Sequence, residues 1–255
     1  MSEESYVSKQ SSDAYRAYRR SSDGQYEQTI LLKNIQPFLP ADHTKRVLDA
    51  GCGDGWLTRY LRATYPHTYG CDISSHLIGS AQTQDPEGQY VVADMTTPLP
   101  YQENFFDNVL AVLSLHDVSD LASAYKHLGA VLRPGGTLIV VVANPYYSFP
   151  VGRWKRGILG RLLFRKPSLR LMSYGAWLRS LKRLFLWGDA VPSYFRTIPE
   201  YLNEATKAGF ALEHYEDILA QSDSDHFDRQ YQLYRFPMMV LLTFRKSVSS
   251  LSDKK

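Results

Sequence analysis

Short apolar runs recur through the first 143 residues, at 47–48, 68–71, 90–92, 109–115 and 138–142, the first three each followed within two residues by an acid. The longer runs carry no polar alternation. They therefore read as strands buried on both faces, as in a parallel sheet, with helical segments between them. Strand and helix signals alternate from Arg46 to Ala143, which predicts an α/β fold with a doubly wound parallel sheet. The pattern breaks at Asn144-Pro145. A helix is expected over 197–208, capped by Thr197 or a neighbour and stopped by Gly209, followed by strands over 210–217 and 233–246. At the other end, residues 1–24 are polar, with Tyr6, Tyr15 and Tyr18 among serines and arginines. They read as a loose or helical cover, and 25–39 as a helix ending before Pro40.

Charge changes the picture in one place. The chain of 255 residues has a formal charge of only +3, which argues against a strong polyanion binder. Yet 145–196 holds eleven arginines and lysines against one acid, Asp189, so the remainder is net acidic. Aromatic residues are interleaved there. Trp177, Leu181, Leu184 and Phe185 fall on an apolar helical stripe, and Trp154, Ile158, Leu162 and Leu163 on a partial one. A basic, aromatic, helical lid inserted between the fifth and sixth strands is expected. Three uses stand open: a lid packed on the domain, a substrate lid whose arginines attract a carboxylate or phosphate, and a helix pair on an anionic membrane surface. Nucleic acid is disfavoured, because no RNA-binding signature accompanies the basic residues. The expected divisions are 1–40 as N-terminal cover, 41–144 as cofactor-binding core, 145–196 as lid, 197–247 as the rest of the core and 248–255 as a disordered tail.

Two cysteines, Cys52 and Cys71, suggest reduced thiols in a cytoplasmic setting rather than a disulfide framework. The polar, acidic start lacks the regions of a signal peptide, and no apolar run has the length of a membrane span. No internal repeat is found.

The chemistry concentrates in Val47-Leu48-Asp49-Ala50-Gly51-Cys52-Gly53-Asp54-Gly55, a strand, a glycine turn and a helix start. Glycines let the backbone turn sharply and approach a ligand. The spacing is G-x-G-x-G rather than the dinucleotide G-x-G-x-x-G, and Asp49 and Asp54 bracket the turn. Two carboxylates repel a pyrophosphate and attract an ammonium, while a helix start suits a carboxylate. A plain capped strand-to-helix turn is the alternative. Asp72 ends the next strand 19 residues after Gly53, the distance at which an acid grips ribose hydroxyls, a spacing that favours this role over capping the following helix. A third strand ends in Asp94-Met95. A fourth ends in Ser114, His116 and Asp117, at the sheet edge where ligands collect. Leu132-Arg133-Pro134-Gly135-Gly136 opens a fifth.

These five segments, in this order over about 46–143, resemble the class I S-adenosylmethionine-dependent methyltransferases, of seven-stranded Rossmann-like fold and small-molecule type. The resemblance implies a last strand antiparallel to its neighbours and S-adenosylmethionine as cofactor, leaving as S-adenosylhomocysteine, with no metal. Tyr15, Asp49, Gly51, Cys52, Gly53, Asp72, Ile73, Asp94, Met95 and Ser114 would then line the cofactor, Asp94 taking the adenine amino group and Met95 packing on the ring. Tyr18, Tyr147, Tyr194 and Arg196 are the expected substrate side. His116 is the candidate base, needed only where the acceptor arrives protonated; packing beside the cofactor is its other reading. Methylation of an oxygen or nitrogen of a small molecule is expected. The rivals are a lipid methyltransferase docked by the basic insertion and a SAM-binding regulatory protein without turnover. An NAD-dependent oxidoreductase is disfavoured by Trp56 and the flanking acids.

Overall fold

The structure, a computed structural model, describes residues 8–146, 152–155, 168–171, 181–184, 190–219, 237 and 239–248. Five parallel strands form its centre: β1 (Val47–Ala50), β2 (Thr68–Asp72), β3 (Gln89–Val92), β4 (Phe106–Val112) and β5 (Leu132–Ala143). With β10 (Phe210–Ile218) and β11 (Met239–Lys246) they make a seven-stranded sheet in the order β10-β11-β5-β4-β1-β2-β3. β11 runs antiparallel to both its neighbours, as the family resemblance implies.

The helices follow the chain as α1 (Lys9–Arg20), α2 (Ser22–Ile35), α3 (Trp56–Arg62), α4 (Ser75–Gln84), α5 (Leu121–Val131) and α6 (Ile198–Lys207). Alternate strand residues point to opposite faces, so each face has its own core. Leu48, Val109, Val140 and Val142 pack with Ala124, Tyr125 and Leu128 of α5 and with Ile198 and Tyr201 of α6. Val47, Leu110, Ile139 and Val141 pack on the other face with Leu31, Ile35, Leu57 and Leu61. Burial on both sides explains why 109–112 of β4 and 138–142 of β5 read as continuous apolar runs. Strand order reverses between β1 and β4, and such a switch opens a crevice at the carboxyl ends of the strands.

The N-terminal cover is two helices, with the break at Ser21 rather than at the expected boundary between 24 and 25. The chain breaks at Ser21, whose hydroxyl accepts from the Gly24 N–H at 3.2 Å to start α2. Gly24 lets the two helices meet, since a Cβ there would lie 2.2 Å from the Tyr18 carbonyl. α2 then tightens into a 3-10 turn at Gln36–Phe38, where Pro37 lacks the N–H for another α-turn.

The insertion also departs from expectation. Its described stretches are strands, not helices: β6 (Gly152–Lys155) pairs antiparallel with β7 (Ser168–Leu171), and β8 (Leu181–Leu184) with β9 (Ala190–Ser193). Gly-Arg-Trp-Lys and Ser-Leu-Arg-Leu alternate apolar and polar, and over four residues a two-residue period competes well with a helical one. Trp177, Phe185, Ile158, Leu162 and Leu163, which completed the expected helical stripes, lie outside the described residues, as do 249–255 of the expected tail. Among the described residues no helix is long and apolar enough to cross a membrane.

Candidate functional site

The turn after β1 is built by glycine. Gly51, Gly53 and Gly55 have φ of 77°, 56° and 77°, a left-handed conformation that side chains disfavour. Space demands glycine as well: a Cβ on Gly51 would lie 2.3 Å from Ser114 Cβ, and one on Gly53 2.8 Å from the Tyr15 hydroxyl. The loop is tied down by the Gly51 N–H, which donates to the Cys71 carbonyl at 2.7 Å. Ser114 Oγ donates to the Ala50 carbonyl at 2.9 Å, so the ends of β1 and β4 meet at the switch point.

Asp72 ends β2 with both carboxylate oxygens engaged, accepting from the Gly53 N–H at 2.8 Å and the Ser74 N–H at 2.9 Å. Its orientation toward the loop is thereby fixed. Burial raises its pKa, against the pull of those two N–H groups. Ile73 follows, half-buried. Asp49 is 2% exposed and accepts from the Thr58 hydroxyl at 2.7 Å, so it lies under the loop. Desolvation pushes its pKa up to about 7, with the charge of Asp72 adding to the rise. Asp94 folds into a turn, accepting from the Thr96 N–H and hydroxyl at 2.8 Å each. Met95 is buried, with its Cε 3.4 Å from where a Gly51 Cβ would stand. Cys52 and Cys71 are free and buried, and desolvation raises both thiols. They remain protonated near neutrality and fill space rather than react.

Tyr15 comes from α1 and covers Gly53, its phenol pushed up by burial. The same helix is fastened beside the loop: Ser12 and Ser74 hydroxyls share a hydrogen bond at 3.3 Å, and Arg16 Nη1 donates to Ser80 Oγ at 3.1 Å. Arg19, not singled out in the sequence, is 5% exposed and stacks over Trp56 at 4.4 Å. Its Nη1 donates to Glu27 Oε1 at 2.6 Å. Ser12, Tyr15 and Arg19 are three and four residues apart and share one helix face, which is the signal that could have found Arg19.

His116 sits in a 3-10 turn, Leu115–Asp117, just past the end of β4. It is 7% exposed, with Nε2 3.4 Å from Asp117 Oδ2. Asp117 Oδ1 is buried without a hydrogen-bond partner among the described residues. The turn is clamped from the far end of the insertion. The Tyr194 N–H donates to the His116 carbonyl at 2.8 Å. Arg196 donates to the carbonyls of Leu115, Val118 and Ser119, and its guanidinium lies 5.1 Å from the Tyr194 ring centre. The structure thus places Tyr194 and Arg196 at the site, but as supports of the His116 turn. Tyr18, also expected on the substrate side, donates its hydroxyl to Glu27 Oε2 at 3.1 Å within the N-terminal helices. Tyr147 lies outside the described residues.

These residues fit S-adenosylmethionine. The glycine cradle admits a ligand against backbone, and carboxylates stand at the end of β2 and just past β3, where the family resemblance expects ribose and base. Next to the loop, Asp54 Oδ1, Arg19 Nε and Arg19 Nη2 are buried without hydrogen-bond partners among the described residues. No group of three His, Cys, Asp or Glu is placed to hold a metal among those residues.

Comparison with known proteins agrees. Residues 48–140 match the family model described as a methyltransferase domain. A malonyl-[acyl-carrier protein] O-methyltransferase of Enterobacter lignolyticus is 37% identical over 100 residues, 39% of each chain. A mitochondrial arginine-hydroxylase of Danio rerio is 38% identical over 93 residues, 36% of this chain and 29% of its own. The match thus spans well under half of these relatives. A solved S-adenosylmethionine dependent methyltransferase from Mesorhizobium loti superposes with a TM-score of 0.70 at 25% identity, covering 86% of this chain and 99% of that one. Glycine cradle, strand-end acids and sheet order converge with the comparisons: residues 48–140 match a methyltransferase domain, and the chain has the fold of an S-adenosylmethionine-dependent methyltransferase.

Proposed function

We propose that the protein transfers a methyl group from S-adenosylmethionine to an oxygen or nitrogen of a small-molecule acceptor, with His116 as the base. The observation that supports this reading most is the buried His116, paired with Asp117, on the turn directly after Ser114 at the switch point. The cofactor supplies a methyl on a sulfonium, already strongly electrophilic. The protein's task is therefore to hold the acceptor in line with the S–CH3 bond and to exclude water. His116 would accept the O–H or N–H proton that the acceptor gives up on methylation. Asp117 stabilises the imidazolium that results. Arg196 and Tyr194 keep the turn in place. His116→Ala should lower kcat by about 10²–10⁴ with S-adenosylhomocysteine affinity unchanged. An unchanged kcat at every pH would remove the base role.

A second reading is favoured by the insertion, with eleven basic residues against one acid, and by the relative named for a malonyl carrier substrate. Under it the acceptor is itself a carboxylate, drawn in by the arginines. A carboxylate arrives deprotonated, so it requires no base, and His116→Ala would leave its methylation nearly intact. One variant assayed with a hydroxyl and a carboxylate acceptor therefore separates the two. The arginine-hydroxylase relative shows why turnover itself must be measured, since a similar sequence bears a different activity in its name.

A further inference from the structure

Arg19 is a buried cation whose hydrogen bonding is incomplete. Nη1 is matched to Glu27, but Nε and Nη2 have no partner among the described residues. Burying charged donors without partners costs stability, so such an arrangement calls for an anion. Close by, Asp54 is 4% exposed and its Oδ1 has no partner, so it calls for a donor. Both lie within electrostatic reach of the Tyr15 hydroxyl, which covers Gly53, and Arg19 also stacks on Trp56, two residues after Asp54. An unmatched cation and an unmatched anion thus flank the same turn without bonding to one another.

We propose that Arg19 and Asp54 hold the two charges of the cofactor's amino-acid end, Arg19 the carboxylate and Asp54 the ammonium. This rests on S-adenosylmethionine being the ligand of the glycine turn. The planar guanidinium offers two adjacent N–H groups, the fork that matches a carboxylate. Because Arg19 belongs to α1, the carboxylate also joins the N-terminal helices to the sheet. A ligand carrying the amino-acid end adds this tie to those that Ser12 and Arg16 already make; one without it does not.

The test compares S-adenosylhomocysteine with 5′-methylthioadenosine, which keeps the adenosine and thioether but lacks the amino-acid end. Calorimetry on the full chain should show Arg19→Gln losing about 10- to 100-fold in affinity for the first and little for the second. Asp54→Asn should behave alike, and Arg19→Lys should fall between. Since Arg19→Gln strands the Glu27 carboxylate, the double variant Arg19→Gln/Glu27→Gln serves as a better-folded control with the same expected pattern. Hydrogen exchange should show S-adenosylhomocysteine protecting residues 9–35 in the wild type and 5′-methylthioadenosine failing to do so. Unchanged affinity for S-adenosylhomocysteine in the Arg19 variants overturns the proposal. An equal loss for both ligands also overturns it, because it would mark Arg19 as a support of the helices alone. If the wild type binds neither ligand, the cofactor assignment itself falls, which is a separate result.

Discussion

Asp49 carries a carboxyl that burial has pushed up to about 7, above the ordinary value near 4 that the unfolded chain shows. A carboxyl raised on folding contributes stability that is complete below the unfolded pKa and is lost as pH climbs toward the folded one. The window is thus about pH 4 to 7, and the loss across it is roughly 2–4 kcal/mol. Ligand-free protein should therefore show a falling urea midpoint from pH 5 to pH 8. Asp49→Asn should flatten that fall, because the amide never ionises and can still accept from Thr58. Parallel pH profiles for the two proteins would show that Asp49 is ionised throughout. Gly51 makes a sharper case. Gly51→Ala demands a left-handed alanine with its Cβ 2.3 Å from Ser114 Cβ, so the ends of β1 and β4 must separate. S-adenosylhomocysteine binding should vanish in calorimetry, and thermal stability should drop with it. A variant that binds normally would mean the turn tolerates both strain and clash.

The elements divide into those announced by their own residues and those decided elsewhere. β4 and β5 were legible because burial on both faces keeps 109–112 and 138–142 wholly apolar, and β1 because Val47 and Leu48 run directly into the glycine turn. α6 was legible because Thr197, Pro199 and Glu200 write its start: Thr197 Oγ1 accepts from the Glu200 N–H, and the Glu200 carboxylate accepts from the Thr197 N–H at 2.7 Å. Thr197→Ala should cost about 1 kcal/mol, read as a lower midpoint with the same slope in urea. The described stretches of the insertion depart from the expected helices because four-residue strands carry too few positions to fix a period. The break at Ser21 falls a few residues before the boundary expected after residue 24, because its place depends on Gly24 meeting Tyr18 across the helix pair. The same divide holds within the site. The strand-end acids announced themselves through spacing, whereas Arg19 and Arg196 gained their places through partners distant in sequence. Arg196 clamps the 115–119 segment by three carbonyls, so Arg196→Met should speed amide exchange there and lower kcat, leaving S-adenosylhomocysteine affinity unaltered. Weakened cofactor binding would instead place Arg196 in the cofactor site.

At the scale of the whole molecule, charge and topology point to one division of labour. The sheet and N-terminal helices enclose the cofactor edge with acids, and the remainder of the chain outside the insertion is net acidic. The insertion, eleven basic residues to one acid, returns to the sheet through β9 and Tyr194, and that return lands on the His116 carbonyl. The basic segment is thereby joined to the turn that bears the candidate base, not to the glycine turn. An anionic acceptor would be attracted over a distance set by ionic screening, about 10 Å at 0.1 M and shrinking to 3 Å at 1 M. Arg19 and Asp54, proposed to hold the cofactor's amino-acid end, are buried, where screening is weak. Raising sodium chloride from about 0.05 to 0.5 M should therefore raise KM for a carboxylate or phosphate-bearing acceptor several-fold, while S-adenosylhomocysteine affinity changes little. Replacing Arg179, Lys182 and Arg183 by glutamine should raise KM at low salt and remove most of the salt dependence. An acceptor KM indifferent to salt in the wild type would mean that the insertion's charge is solvated and that its aromatic residues alone select the acceptor.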